Sequence, residues 1–396
     1  MNRRRLRPWL IGVLGSLAAG TTLVGCSRQP SDVLQLGGAI ALTGNASLLG
    51  QDARTGLEIA QQHYGQQQPQ LKLVIEDTGS DEASATQAFR RLINNRVVAI
   101  LGPSLSQQGF AVMPMAERAG IPVIGISTTA PGIPEIGRFV TRVASPVTVI
   151  APRSLAKAIE LTPRIKRVAV FFAQDDVFCS SESTIFQKAI GAKGLELVSL
   201  QRTSISDTDF QIPISNALRS RPDLIVISAL PSDGGNLVRQ LRELGYTGPI
   251  VAGNGMNTPN IFPVCQKHCD GLLITQAYNP ARKNPSNTVL LQQFRRGRSA
   301  DAVPPQVTAQ AFSAYQVVHE ALARVKANLP KGTTLISLPE SDLRQQLLST
   351  LLAMQFQTPL GEIRFTPEGE VIQKDFSVAR VSMSPDGRGG RFVLLK

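Results

Sequence analysis

Residues 97–132 read VVAILGPSLSQQGFAVMPMAERAGIPVIGISTTAPG. The apolar run 97–101 is rich in β-branched residues and stops at Gly102-Pro103, a pair that forces a turn. Ser106 stands where a helix N-cap is wanted, ahead of a helical pattern over 106–119. A second strand, 121–126, ends in Ser127-Thr128-Thr129-Ala130-Pro131. Strand, loop, helix and strand in this order describe one unit of an open parallel sheet. In such sheets ligands sit beyond the C-terminal ends of the strands, where loops enter helices. Both loops carry hydroxyls there: Ser104 and Ser106 in the first, Ser127, Thr128 and Thr129 in the second. Free backbone N–H groups at a helix start beside a hydroxyl make a natural carboxylate site. The same residues also cap ordinary helices, and composition alone does not choose between the two roles.

The pattern extends in both directions. Upstream lie a strand at 34–42, a helix at 49–64, a strand at 71–75 and a helix at 81–94, with Ala85, Ala88, Phe89 and Leu92 on one face. Downstream, a helix at 146–161 leads into a second series. Its strands are expected at 167–172, 195–200, 223–229 and 249–252, with helices at 181–190, 210–218 and 232–244 between them. Two parallel sheets, each with helices on both faces, make this an α/β chain. The C-terminal third departs from the alternation. It is helical over 286–352, with a long apolar pattern at 307–325. It then turns β-rich at 363–365 and 376–381, around the turn residues Pro367-Glu368-Gly369-Glu370.

The N-terminus reads as an address. Arg3, Arg4, Arg5 and Arg7 precede an uncharged apolar stretch that is short for a spanning helix. It closes on Leu23-Val24-Gly25-Cys26, similar to a bacterial lipobox, in which the peptidase cuts before the cysteine and its sulfur carries the lipid. Residues 1–25 are therefore expected as a lipoprotein signal peptide and 26–33 as a tether. An uncleaved membrane anchor is the plainer alternative. Without the four leader arginines the formal charge falls from +12 to +8. That excess is spread along the chain, which speaks against a nucleic-acid surface and suits a body beside an anionic membrane. Roughly 370 residues remain, enough for two domains. In an oxidising compartment Cys265 and Cys269 read as a small disulfide loop, since a zinc site would lack a fourth nearby ligand. No metal or cofactor is expected, and no Gly-x-Ser-x-Gly, His-Glu-x-x-His or Walker pattern suggests an enzyme.

A series of phrases along the chain carries a resemblance. They run Ala41-Leu42-Thr43-Gly44, Leu49-Gly50-Gln51-Asp52, Ile75-Glu76-Asp77-Thr78, Ile100-Leu101-Gly102-Pro103 and Ala119-Gly120-Ile121-Pro122-Val123. They continue with Phe139-Val140-Thr141-Arg142, Arg167-Val168-Ala169-Val170, Asp207-Thr208-Asp209-Phe210, Arg221-Pro222-Asp223 and Gly361-Glu362-Ile363-Arg364-Phe365. In this order the chain resembles the leucine/isoleucine/valine-binding family of type I periplasmic binding proteins, the substrate-binding lipoproteins of ABC transporters. The resemblance implies two discontinuous lobes, 31–144 plus 277–355 and 145–276 plus 356–396, closing by a hinge on a ligand held between them. It implies that hydroxyls of the first lobe, at Ser104, Ser106, Ser127 and Thr129, hold a carboxylate. The second lobe departs from the pattern. Phe178 keeps an aromatic wall without a phenol, and Cys179 replaces a glycine, either as a cleft residue or as a small buried hydrophobe. No acid stands in Gly253-Asn254-Gly255-Met256, where one is expected to meet an ammonium group, so Asn254 and the nearby Asp233 are the candidates there. An amino acid leads as ligand, with amides, urea and small carboxylates also open. The implied partners are an ABC permease and, through the lipid on Cys26, a periplasmic or cell-surface membrane. The rival reading is a tethered lipoprotein of the same fold that binds a protein, as activators of cell-wall synthases do, or that serves as a ligand sensor.

Overall fold

The structure, a computed structural model, describes residues 33–65 and 67–395. The expected signal peptide, the expected lipidation at Cys26 and the expected tether up to residue 32 lie outside the described residues. The first lobe is built on β1 (Val33–Ile40), α1 (Ser47–Tyr64), β2 (Gln70–Asp77), α2 (Glu82–Asn94), β3 (Ile100–Leu101), α3 (Ser106–Arg118), β4 (Val123–Gly125) and β5 (Val140–Arg142). Its strands pair in parallel in the order β2-β1-β3-β4-β5. The order reverses between β1 and β3, and this reversal opens a crevice at the carboxyl ends of those strands.

The chain then crosses through α4 (Val147–Leu161) to a second lobe. There β6 (Arg167–Ala173), α5 (Val177–Ala192), β7 (Glu196–Thr203), α6 (Gln211–Arg219), β8 (Leu224–Ser228), α7 (Pro231–Glu243), β9 (Ile250–Ala252), the short α8 (Phe262–Cys265) and β10 (Leu273–Gln276) follow one another. It returns to the first lobe with α9 (Pro285–Arg295), α10 (Gln306–Ala327), α11 (Glu340–Ala353), β11 (Gln355–Thr358), β12 (Gly361–Phe365) and β13 (Val371–Gln373). Finally β14 (Ser377–Met383) and β15 (Gly390–Leu395) join the second sheet, whose order is β15-β14-β10-β9-β8-β6-β7. That sheet is mixed rather than purely parallel, because β14 pairs antiparallel with both β10 and β15.

The tail corrects one expected boundary. The sequence places residues 356–373 in the second lobe, yet Phe356, Ile363, Phe365 and Val371 share a core with Leu36, Leu57, Phe312 and Leu347 of the first. A three-stranded antiparallel sheet cannot bury its apolar face alone, and α10 and α11 offer the nearest apolar surface. α10 is buried almost all round, from Gln306 to His319, which explains why no Asp, Glu, Lys or Arg stands in that stretch. Gly56 lets it approach α1, since a Cβ at that position would lie 2.2 Å from the Thr308 carbonyl oxygen. Gln373 ties the three crossings between lobes together. Its amide donates to the Ala277 carbonyl at 2.6 Å, and its side-chain oxygen accepts from Ser145 Oγ at 3.0 Å.

Candidate functional site

The loop after β3 is shaped by Gly102, whose φ of +125° and approach to Ala39 leave no room for a side chain. Beyond it the hydroxyls knit the crevice together. Ser104 Oγ accepts from the Ala41 amide at 3.0 Å, and Ser127 Oγ donates to the Ser104 carbonyl at 2.7 Å. Ser106 was expected to cap α3. Instead Leu105, with extended backbone, holds the N-cap position, and Ser106 is the first helical residue. Its Oγ accepts from the Ala130 amide at 3.1 Å, which joins the two loops.

Ser104, Ser106, Ser127 and Thr129 face Phe178, Leu230, Asn254 and Gly255 of the second lobe across a cavity of about 20 Å³, with Leu49, Val307 and Gln310 completing its wall. This is about the room of a single water. Two polar groups of this wall, Thr129 Oγ1 and Gln310 Nε2, are buried without a hydrogen-bond partner. A buried donor left unmade costs about 1–3 kcal/mol, so such groups are where an incoming polar ligand gains most. Gln310 was not anticipated, although Gln306 and Gln310 are one helical turn apart in an otherwise apolar pattern, a signal that could have exposed it.

Two anticipated residues stand apart from the cavity lining. Thr128 is fully buried and points back toward Gly125, where an added Cβ would come within 2.2 Å of its Oγ1. Its carbonyl accepts from Arg142 Nη1 at 3.0 Å, and the same guanidinium donates to the Ala130 carbonyl at 2.7 Å and pairs with Glu370. Arg142 therefore holds the second loop from behind. Asp233 lies in the first turn of α7, 2% exposed, with neither carboxylate oxygen hydrogen-bonded. Burial pushes it up to about 8.

The second wall has a layer that sequence reading missed. α5 starts at Val177 rather than near 181, because Asp176 caps it by accepting from the Cys179 amide at 2.7 Å. Phe178, Glu182, Phe186 and Ile190 then form one buried stripe at helical spacing, with an acid in an aromatic and aliphatic row. Glu182 fills the space that a side chain at 253 would take, since a Cβ on Gly253 would lie 1.9 Å from Glu182 Oε2. Its oxygens accept from the Asn254 amide at 2.8 Å and from Ser228 Oγ at 2.7 Å. Burial pushes Glu182 up to about 7 against these two bonds. Asn254 in turn accepts from Gln306 Nε2 at 3.1 Å, a contact between lobes. Cys179 is fully buried, and burial, then Asp176 and Asp233, push its thiol up. Cys265 and Cys269 are joined in a disulfide inside the core of the second lobe, with Cα atoms 5.5 Å apart. Among the described residues no cluster of acids, histidines and cysteines is placed to hold a metal ion, and no helix is long and apolar enough to cross a membrane.

Comparison with known proteins identifies the family and agrees with the fold. Residues 33–389 match a family described as periplasmic binding proteins. A leucine-, isoleucine-, valine-, threonine- and alanine-binding protein of Pseudomonas aeruginosa is 22% identical over 375 residues, covering 92% of this chain and 95% of the relative. A Leu/Ile/Val-binding protein homolog of Brucella melitensis is 19% identical, covering 92% and 96%. Among solved structures, a leucine-binding protein of Thermotoga maritima superposes with a TM-score of 0.79 at 24% identity, covering 92% of this chain and 99% of that one. An ABC-transporter solute-binding protein of Rhodopseudomonas palustris, solved with 3,4-dihydroxybenzoic acid, gives 0.78 at 17% identity, covering 92% and 96%.

Proposed function

The chain belongs to the periplasmic binding protein family, and we propose that it captures a small amino acid, or a related amide or carboxylate, between its lobes. Proteins of this type are extracytoplasmic, non-catalytic receptors that serve ABC importers. The observation that carries the ligand reading is the pair of buried, unpartnered groups, Thr129 Oγ1 and Gln310 Nε2, in a cavity walled by both lobes. A hydroxyl and an amide N–H suit a carboxylate or carboxamide. Glu182, which accepts from the Asn254 amide and is pushed up to about 7 by burial, is the acid behind the second wall that an incoming ammonium group would draw toward its anionic form. Leu49, Phe178, Leu230 and Val307 favour an apolar side chain, in keeping with relatives that bind leucine, isoleucine and valine. Because the cavity is smaller than any such ligand, entry requires the lobes to part and capture closes them. Cys26 would tether the receptor to the membrane beside its permease.

Thermal unfolding of the chain from Ser27 onward, against amino acids, amides, urea and small carboxylates, tests this. A true ligand at about a hundred times its dissociation constant should stabilise the fold by about 2.7 kcal/mol. Thr129→Val with Gln310→Leu should abolish that shift. The near-filled cavity also favours a second reading, in which the lobes are packed together and the lipoprotein binds a protein partner. No shift with any compound, in protein refolded to strip retained ligand, would select that reading.

A further inference from the structure

The lobes meet again one helical turn along α1 from the cavity-lining Leu49. Asp52 of α1 reaches across to the segment that follows β9. Thr258 Oγ1 donates to its Oδ2 at 2.7 Å, and Asn260 Nδ2 donates to its Oδ1 at 3.1 Å and to the Leu48 carbonyl at 3.2 Å. Asp52 is 8% exposed in this arrangement. All of its side-chain partners are neutral. Its neighbours on α1, Arg54 and Glu58, pair with each other in solvent, and residues 253–261 carry no charge. Of the elements packed on α1, β2 carries Lys72, Glu76 and Asp77, α9 carries Arg295, and α10 carries His319 and Glu320 within reach of that helix. Among the described residues none of these is hydrogen-bonded or ion-paired to Asp52.

We propose that closure of the two lobes is coupled to uptake of a proton by Asp52, so that the closed form is favoured in acid and relaxed near neutrality. This rests on the reading of the chain as a hinged receptor. Parting the lobes removes Thr258 and Asn260 and returns the carboxylate to water. Closing moves it into contacts that offer hydrogen bonds but no cation. A carboxylate buried that way is destabilised relative to its neutral acid. Consistently, burial pushes Asp52 in the closed arrangement up to about 6, more than the Thr258 and Asn260 bonds draw it down. The site also tolerates the proton. The Thr258 hydroxyl can turn from donor to acceptor, and it already accepts from the Asn260 amide at 3.1 Å. By linkage, a group that binds protons more tightly when closed pulls the equilibrium toward closure as the pH falls.

The experiment uses the full chain with Cys26→Ser and spin labels on two exposed positions, Gln87→Cys in the first lobe and Ser215→Cys in the second. The distance distribution reports closed and open forms without a known ligand. From about pH 7.5 to about pH 5 the closed-to-open ratio should rise about tenfold, and Asp52→Asn should remove most of that rise. Asp52→Ser serves if the asparagine variant does not fold. A ratio insensitive to pH, or an equal rise in the Asp52 variant, would overturn the coupling while leaving the hinge intact. A single distance under every condition would overturn the hinge reading, and the coupling with it.

Discussion

The two walls of the cavity are built on different principles. In the first lobe the polar groups belong to two adjacent strand-to-helix loops, and most are already engaged with backbone: Ser104 with Ala41, Ser127 with Ser104, Ser106 with Ala130. In the second lobe the surface toward the cavity is Phe178, Leu230, Asn254 and Gly255, while three acids, Glu182, Asp176 and Asp233, are buried behind it. The first wall is a frame whose hydroxyls are hydrogen-bonded to its own backbone. The second is a mainly apolar face over buried acids, whose cost falls when a cation or a proton arrives.

The largest test of that contrast concerns the frame. Arg142→Met strips the donors from the Thr128 and Ala130 carbonyls and leaves Glu370 unpaired. It should cost about 4 kcal/mol in denaturant unfolding, and the double variant with Glu370→Met should recover part of the loss. Full retention of stability in the single variant would show that the second loop is held by other means.

The next concerns the acids. Glu182 titrates near 7 when folded, against an ordinary 4.5, so the folded state binds the proton more tightly. Its contribution therefore favours folding below about pH 4.5 and is withdrawn as the pH rises through about 7, a swing of about 3 kcal/mol that Glu182→Gln should flatten. Urea unfolding from pH 5 to 8, comparing the two proteins, reads this directly. Parallel profiles would mean that the carboxylate is stabilised as an anion.

The smallest effect separates two hydroxyls on one wall. Ser106→Ala removes an acceptor in use and should lower stability by about 1 kcal/mol. Thr129→Val removes an unpartnered hydroxyl and should leave stability unchanged or slightly raised, while weakening ligand binding. Equal stability losses would put Thr129 in the frame with Ser106.

Much of the first wall was legible because it is local. The strand, the Gly-Pro turn and the hydroxyls lie within 97–132, and the parallel sheet places those loops on its carboxyl edge. Even there the role of Ser106 shifted from cap to bridge, because its partner Ala130 belongs to the other loop. The second wall was legible in Phe178 and Asn254 but not in the acid behind them. Its acid comes from α5, 72 positions from the backbone amide it meets, and Gly253 records the contact only as a missing side chain. Asp52 was silent and Gln310 left only its spacing from Gln306 as a hint, since a polar residue in a helix reveals neither its facing neighbour nor whether that neighbour belongs to the other lobe.

By itself the sequence determined the alternation of strands and helices, the paired sheets and the hydroxyl loops, because hydrophobic period and turn chemistry act over a few residues. Tertiary structure alone decided which lobe received residues 356–373, which acid stood behind Asn254 and that Asp52 met Thr258. These outcomes depend on apolar faces finding cover and on charges losing water, and both are settled only when distant segments pack together.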